Sequence, residues 1–446
     1  MDSLAGTIAA IGGIVNNRLD TAVAMLALAS MLGCGGGVGE PDADAGEPDA
    51  FSGPTCFPPL EPDPTLFEKQ VLLAPGEPSA TTNVRVADLR GDGSMQILVA
   101  DAGGDSVVLV EACGAMCQET TLGTNLGLPA RTHVVDADGD GDRDVIVASV
   151  GALQTTDDKV GRVTLLDNDG SFGFTPTVLL ADIGRTACAE SADFDGDDDV
   201  DIVVCEFGNS EGNLLWLERL PAGDYTTHVL DPRPGAIHAF PFDADGDGDI
   251  DIAALVSQLS EEVMLYRNDG AGAFSAEVLF SAGTTNFGSS GIELVDLDQD
   301  GDTDILQTNG DLFDNDWLDV EDLCGHYGLA WLDNDGSGNF TRKTISNYFA
   351  SFSARALDVD LDGDLDIVVS SLQDLSVVPP IEPVGLLWLE NDGAQGFSRR
   401  ASLATPNSVV SIDAVDFDGD GDVDIVAGSI LPDGDRLAVF RNLTIE

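Results

Sequence analysis

The chain is predicted to be an all-β protein, a seven-bladed β-propeller of four-stranded antiparallel blades. Three observations predict it. An Asp at every second residue, followed by an apolar run, recurs seven times at intervals of 48 to 62 residues. A period of that length marks one supersecondary unit copied along the chain. Each unit carries four short strand patterns separated by turn signals. The two ends also complement each other. The last unit stops at Phe-Arg-Asn-Leu-Thr-Ile-Glu446 without a fourth strand, and an orphan strand, Phe67-Glu-Lys-Gln-Val-Leu-Leu73, precedes the first. An N-terminal strand that completes the last blade closes a ring. A β-solenoid would instead need caps at both ends.

The N-terminal part reads as an export signal. Arg18 precedes an apolar stretch from Ala22 to Leu32, followed by Met31-Leu-Gly-Cys34. A stretch of that length suits a signal peptide and is too short to span a bilayer. The Met-Leu-Gly-Cys ending resembles the bacterial lipobox, which implies lipidation of Cys34 and a signal segment of residues 1–34. Ordinary secretory cleavage is the alternative. Residues 35–64 are rich in Gly, Pro, Asp, Glu and Ala. That composition buries no core and reads as a disordered, extended tether. The propeller is expected over residues 65–446.

Six of the seven Asp loops are intact. Five carboxylates in nine residues repel one another unless a hard cation holds them. Ca²⁺ takes six to eight oxygen ligands in a flexible shell, whereas Mg²⁺ demands a near-ideal octahedron. Zn²⁺ would call for Cys or His, and the loops have neither. Side chains at positions 1, 3, 5 and 9, with the carbonyl at 7, can wrap one Ca²⁺. The expected sets are Asp136, Asp138, Asp140, Asp142 and Asp144; Asp193, Asp195, Asp197, Asp199 and Asp201; and Asp243, Asp245, Asp247, Asp249 and Asp251. Asp296, Asp298, Asp300, Asp302 and Asp304 follow, then Asp358, Asp360, Asp362, Asp364 and Asp366, then Asp416, Asp418, Asp420, Asp422 and Asp424. About six Ca²⁺ are therefore expected. Position 6 needs a sharp turn, hence Gly141, Gly248, Gly301, Gly363 and Gly421. Asp198 stands there in the third unit, and Asp tolerates the left-handed region better than most residues. The first unit is eroded to Asp88-Leu-Arg-Gly-Asp-Gly-Ser-Met-Gln96. No ion is expected there, and Arg90 is expected to take its place and bond Asp88 and Asp92.

The fourth unit shows the grammar of a blade. Ile237 to Phe242 leads into the loop, and Ile250 to Val256 leaves it as a continuous apolar run. Such a run is buried on both faces. Val263 to Tyr266 follows, then the turn Arg-Asn-Asp-Gly270, then Phe274 to Phe280. Leu-Leu-Trp-Leu217, Leu-Ala-Trp-Leu332 and Leu-Leu-Trp-Leu389 occupy the third-strand place, and Asn-Asp-Gly turns begin at Asn168, Asn334 and Asn391.

The loops Asp-x-Asp-Gly-Asp-Gly-Asp-x-Asp, followed by Ile-Val or its like, and the Trp-Leu-Glu-Asn-Asp-Gly segment ending at Gly393 resemble the FG-GAP/VCBS repeat family. The propellers of integrin α-subunits are similar in having Ca²⁺ loops in some blades. The resemblance covers residues 67 to 446 and implies the propeller and the Ca²⁺ sites. It says little of activity, because that family holds mostly surface proteins with a few carbohydrate-active members.

Charge and cysteine usage bound the function. A net charge of −61, with 80 acidic against 19 basic residues, excludes nucleic acid as a partner. Six Ca²⁺ would leave the chain strongly acidic, which favours solubility. Besides Cys34, six cysteines remain, an even number suited to an oxidising compartment. Cys188 and Cys205 flank the third loop symmetrically and are expected to face each other across a hairpin. Cys113 and Cys117 bracket a tight turn, and Cys56 and Cys324 pair by elimination. Together with the lipobox, this places the chain in a bacterial cell envelope, as an outer-membrane or surface lipoprotein that meets the membrane only through its anchor.

Connections on the face away from the Asp loops vary most, and variable loops on a rigid scaffold carry function. The longest runs from Asn309 to Gly328. Trp317, His326 and Tyr327 in it are the candidate contacts for a protein or carbohydrate ligand. The plainer alternative is that the insert packs its aromatics over its own blade, held by Cys324. No constellation argues for catalysis. Gly208-Asn-Ser210-Glu-Gly212 matches a nucleophile-elbow pattern, but a strand follows it where the elbow needs a helix. Of the four His, His133 and His238 sit on first strands and read as structural. The favoured reading is a non-catalytic, calcium-stabilised binding, adhesion or scaffold module. The alternative is a carbohydrate-active enzyme of the polysaccharide lyase or dehydratase type, working on the face opposite the Asp loops.

Overall fold

The computed structural model describes residues 66–74, 80–111, 117–154, 156–258, 260–284, 287–310, 328–348, 351–372, 385–403, 409–430 and 435–445. Strand β1 (Phe67–Leu73) stands before the first blade. Blade 1 holds β2 (Thr81–Ala87), β3 (Gln96–Asp101), β4 (Ser106–Glu111) and β5 (Glu119–Thr124). Blade 2 holds β6 (Pro129–Val135), β7 (Asp144–Ser149), β8 (Gly161–Asn168) and β9 (Phe174–Ile183). Blade 3 holds β10 (Thr186–Ala192), β11 (Asp201–Glu206), β12 (Asn213–Arg219) and β13 (Tyr225–Asp231). Blade 4 holds β14 (Ala236–Phe242), β15 (Asp251–Ser257), β16 (Glu261–Arg267) and β17 (Ser275–Ser281). Blade 5 holds β18 (Ser289–Val295), β19 (Asp304–Asn309), β20 (Gly328–Asn334) and β21 (Phe340–Ser346). Blade 6 holds β22 (Ser351–Leu357), β23 (Asp366–Ser371), β24 (Leu386–Asn391) and β25 (Phe397–Leu403). Blade 7 holds β26 (Val409–Val415), β27 (Asp424–Ser429) and β28 (Leu437–Asn442), and takes β1 as its fourth strand.

The second strand of each blade explains the arrangement. Every residue of β3, β7, β11, β15, β19, β23 and β27 is buried. A strand buried on both faces needs a neighbouring sheet on each side. The apolar clusters accordingly fall between blades. One joins Val203 and Trp216 of blade 3 to Ile252 and Tyr266 of blade 4. Others join blades 4 and 5, 5 and 6, 6 and 7, 7 and 1, 1 and 2, and 2 and 3. Each buried Val or Ile contributes roughly 1.5–3 kcal/mol. The seven first strands touch in ring order, β26 against β2 included.

Closure is antiparallel. Phe67 faces Asn442, Lys69 faces Phe440 and Leu73 faces Leu437. Phe67, Leu72 and Leu73 sink into the clusters on either side of blade 7. A register shift recurs where each first strand begins, between Pro129 and Arg131 in blade 2 and at the equivalent place in the other six. A bulge re-aims the side chain that follows it. Here that residue lies five before the first Asp of the loop, and in blades 2 and 4 it is Arg131 and His238.

Removing residues 1–74 strips β1 from blade 7. Three large side chains and a full strand ladder are lost, on the order of 5 kcal/mol. The expected result is a fall in Tm of about 10 °C, read by differential scanning calorimetry. An unchanged Tm would show that β1 does not close the ring.

Candidate functional site

The six intact Asp loops share most of one hydrogen-bond scheme; in blades 5 and 6, where position 4 is not glycine, position 1 accepts the N–H of position 5 (Asp300, Asp362) in place of that of position 4. Blade 4 illustrates the scheme. Asp243, at position 1, accepts the backbone N–H of Gly246 at 2.8 Å and of Gly248 at 3.0 Å. Asp247, at position 5, accepts that of Asp249 at 2.9 Å. Asp251, at position 9, accepts the N–H of Ala244 with one oxygen and that of Asn268 with the other. The position-9 carboxylate therefore ties the loop to the end of the third strand, and it does so in all six loops. Two backbone positions in each loop are left-handed. Position 6 has φ of 95° to 103° at the glycines and 67° at Asp198. Position 4 is left-handed too, and the sequence reading missed it. Glycine stands there in four loops, but Gln299 and Leu361 adopt it at φ 58° and 61°.

Position 3 is different. The Oδ1 atoms of Asp195, Asp245, Asp298 and Asp360 are buried and have no hydrogen-bond partner. A buried anionic oxygen left bare is costly unless a cation takes it. Ligand atoms of Asp136, Asp138 and Asp144 lie within 4.8 Å of one another, as do those of Asp193, Asp195 and Asp197, of Asp243, Asp245 and Asp251, and of Asp296, Asp298 and Asp300. Burial first, and then neighbouring carboxylates, push the Asp195 and Asp360 carboxyls above the usual range. Burial also raises position 9, to about 6 at Asp201, Asp304, Asp366 and Asp424. An all-oxygen, anionic donor set of this kind fits a hard divalent cation.

Position 7 contributes no side chain to that cluster in most loops. The carboxylates of Asp142, Asp249, Asp302 and Asp364 stand where a Cβ on Gly170, Gly270, Gly336 or Gly393 would fall, at 2.3 to 2.4 Å. Those glycines, in the Asn-Asp-Gly turns, have φ of 71° to 74° and no room for a side chain. Asp199 faces Arg219 at 3.5 Å, and Asp422 accepts the N–H of Ile445 at 2.9 Å. Neighbouring loops are linked across blades. Asn268 donates to the Phe194 carbonyl at 2.7 Å, Asn334 to that of Ala244 at 2.9 Å and Asn442 to that of Val359 at 2.7 Å.

The first loop corrects one expectation. Arg90 turns outward, pairs with Glu111 and lies 4.1 Å from the Phe172 ring centre of the next blade. Gln96 closes the loop instead. Its Oε1 accepts the N–H of Leu89 at 2.8 Å, and its Nε2 donates to the Ser94 carbonyl and hydroxyl at 2.7 Å. Asp88 accepts the N–H of Gly93 at 2.8 Å. The Ser94 hydroxyl and amide hold the Asp92 carboxyl below its ordinary value. Donor groups of the chain do here what a cation would do elsewhere.

A second polar constellation lies on the ring axis. Three residues before each loop stand Arg85, His133, Glu190, Phe240, Glu293, Arg355 and Asp413. Glu190 meets Arg85 at 3.2 Å and His133 at 2.5 Å. Burial opposes its charge, but His133 and Arg85 outweigh burial and lower its carboxyl to about 2. Arg355 meets Asp413 at 3.3 Å. Burial raises Glu293 to about 7, with Arg355 opposing. His133 and His238 thus face the axis, and the sequence had marked them only as structural.

The segment around Ser210 is a turn between β11 and β12, and its hydroxyl donates to Asp157 at 2.6 Å. Cys188 and Cys205 are cross-strand partners joined by a disulfide, with Cα atoms 4.9 Å apart. Cys117 is disulfide-bonded, and its expected partner Cys113 lies outside the described residues, as do Cys34, Cys56, Cys324, Trp317, His326 and Tyr327.

Residues 136–204, 243–306 and 372–427 match a family described as FG-GAP-like repeat, which together is less than half of the chain. No curated protein matches it. Among solved structures, the chain is similar to BBS1N in complex with ARL6DN, soaked with lead, at 13% identity and a TM-score of 0.49, covering 84% of this chain and 96% of that one. The same complex soaked with mercury gives 11% identity and a TM-score of 0.48, covering 84% and 97%. The chain therefore carries FG-GAP-like repeats on a seven-bladed propeller.

Two outcomes follow from this geometry. Leu361 is left-handed and 41% exposed, so Leu361→Gly relieves backbone strain and loses little packing. It should stabilise the fold by about 1 kcal/mol in denaturant unfolding; a destabilisation of that size would refute the strain. Glu293 is the pH case. Its folded value lies above its ordinary one, so its contribution to stability is present below about pH 4.5 and is lost as pH rises through about 7. Glu293→Gln should therefore raise Tm relative to the parent more at pH 8 than at pH 5. An equal difference at both would place the carboxyl in an ordinary environment.

Proposed function

We propose that this protein is an exported, calcium-stabilised propeller that acts as a binding, adhesion or scaffold module. The observation that supports it most is the bare Oδ1 at position 3, repeated in four loops that share the position-6 and position-9 hydrogen bonds. Side chains of positions 1, 3, 5 and 9 would hold the ion, with the position-7 carbonyl. The ions act as staples, because each loop is tied to its own third strand and several to the neighbouring blade. In this reading the Asp-loop face is the structural end, and a protein or carbohydrate ligand meets the opposite face. Cys34 carries the lipid, and residues 35–64 hold the propeller off the membrane of a bacterial envelope.

The test is thermal unfolding with Ca²⁺ and with chelator, alongside metal content. About six Ca²⁺ per chain and a Tm lower by tens of degrees in chelator are expected. Each site adds about 2.7 kcal/mol when the ion stands 100-fold above its Kd. The pH dependence has a definite sign. Without metal, the raised position-9 carboxyls favour the fold below their ordinary value and cost stability as pH rises through about 6. With metal, deprotonation is what binding requires. The gap between the Ca²⁺ and chelator melts should widen as pH rises from 5 to 7. Equal melts and no bound metal would sink the proposal.

A further inference from the structure

The axial cavity encloses about 90 Å³ and extends from the ring of Arg85, Glu293 and Arg355 toward the face opposite the Asp loops. Val150, Phe352, Val410 and Ile430 border it on that side, and they belong to one apolar cluster. Its polar lining is largely self-satisfied. Asn83 accepts from Thr132, Ser411 accepts from Val84, Ser290 donates to the Ser351 carbonyl and Thr308 to that of Phe352. Arg85 is occupied by Glu190, and Arg355 by Asp413.

Arg131 is the exception. Its two terminal nitrogens lie 3.2 and 3.3 Å from the two ring nitrogens of His238. Burial first, and then Arg131 itself, hold His238 well below its ordinary value, so the ring is neutral. A neutral imidazole accepts at one nitrogen only, whereas a guanidinium has five N–H donors. Glu190 favours the charge of Arg131 from a distance, but the carboxylate is paired with Arg85 and His133, and among the described residues no ion pair within 4.0 Å is formed with Arg131. One cation with free donors thus faces a small cavity with an apolar mouth.

We propose that this cavity binds a short-chain organic carboxylate, with its carboxylate on Arg131 and its hydrocarbon against Val150, Phe352, Val410 and Ile430. A planar monoanion matches the guanidinium fork. A phosphate dianion fits less well, because Glu190, Glu293 and Asp413 stand in the adjoining ring. The proposal goes beyond the binding-module reading and does not depend on metal occupancy.

Calorimetric titration of the full chain, in excess Ca²⁺ and at about 0.15 M salt, decides it. The probes are hexanoate, butyrate, hexanol and inorganic phosphate. Hexanoate should bind about tenfold more tightly than butyrate, from two further buried methylenes, and more tightly than hexanol or phosphate. Arg131→Met should weaken hexanoate at least tenfold. If that variant fails to fold, the comparison of hexanoate with hexanol on the parent chain reads the same contact. No heat with hexanoate, equal affinity for hexanoate and hexanol, or unchanged binding by a folded Arg131→Met chain would overturn the proposal. Metal content is measured on the same sample, so failure here is separable from failure of the calcium reading.

Discussion

Each blade's second strand is buried on both faces, and the rest of the molecule follows from that constraint. A sheet whose middle is apolar on both sides is unstable alone and needs a partner on each side. Seven such sheets satisfy one another only if the first also meets the last. The ring therefore has to close, and closure requires the missing fourth strand of blade 7 to come from the other end of the chain. Phe67 and Leu73 are buried in two different inter-blade clusters for this reason, and β1 serves both blade 6 and blade 1 through blade 7.

The Asp loops turn the chain from the first strand into that buried second strand. Position 9 is both the last loop residue and the first residue of the strand, so its carboxylate is drawn into the core. There it is matched by two backbone amides, one from the loop and one from the end of the third strand. That pair of hydrogen bonds fixes where the loop sits, and it leaves positions 1, 3 and 5 converging above it. Blade 1 shows what the arrangement needs. With Gln96 at position 9, the carboxamide oxygen keeps the bond to Leu89, and its N–H group supplies the donor that a loop of carboxylates lacks.

Much of this was legible in the sequence. The period, the strand order and the closing strand were visible because Asp loops and apolar runs are local patterns, and β1 has the bounds expected of it. The left-handed turn at Asp198 was legible because a neighbouring Gly occupies the same position elsewhere. Position 4 was not, because Gln299 and Leu361 disguise it. The destination of Arg90 was misread because Glu111 lies in another strand and Phe172 in a turn of the next blade, and a long side chain follows its partners rather than its neighbours in sequence. The axial constellation was hidden for a similar reason. His133, Glu190, Glu293 and Arg355 share one loop-relative position, but only ring closure makes them face one another.

The axis and the rim also differ in how they manage charge. On the rim, carboxylates crowd together with few basic partners, and the balance must come from outside the chain. On the axis, Arg85, Glu190, Arg355 and Asp413 balance one another within a few ångströms. The recurring bulge is what separates the two regimes. It shifts the register just before the residue five positions ahead of each loop and aims that residue at the axis. In four blades the residue at that place is small and borders the cavity: Asn83, Gly291, Ser353 and Ser411; in blade 3 it is Cys188, buried in its disulfide to Cys205. In the other two it is Arg131 and His238, which meet each other across blade 3. Seven copies of one element thus build a regular ring of loops, and two departures from the pattern make its centre asymmetric. Small residues leave space on one side of the axis, and a cation borders that space on the other. A scaffold assembled from repeats gains a single, oriented cavity in this way, because the cavity depends on which copies depart from the pattern.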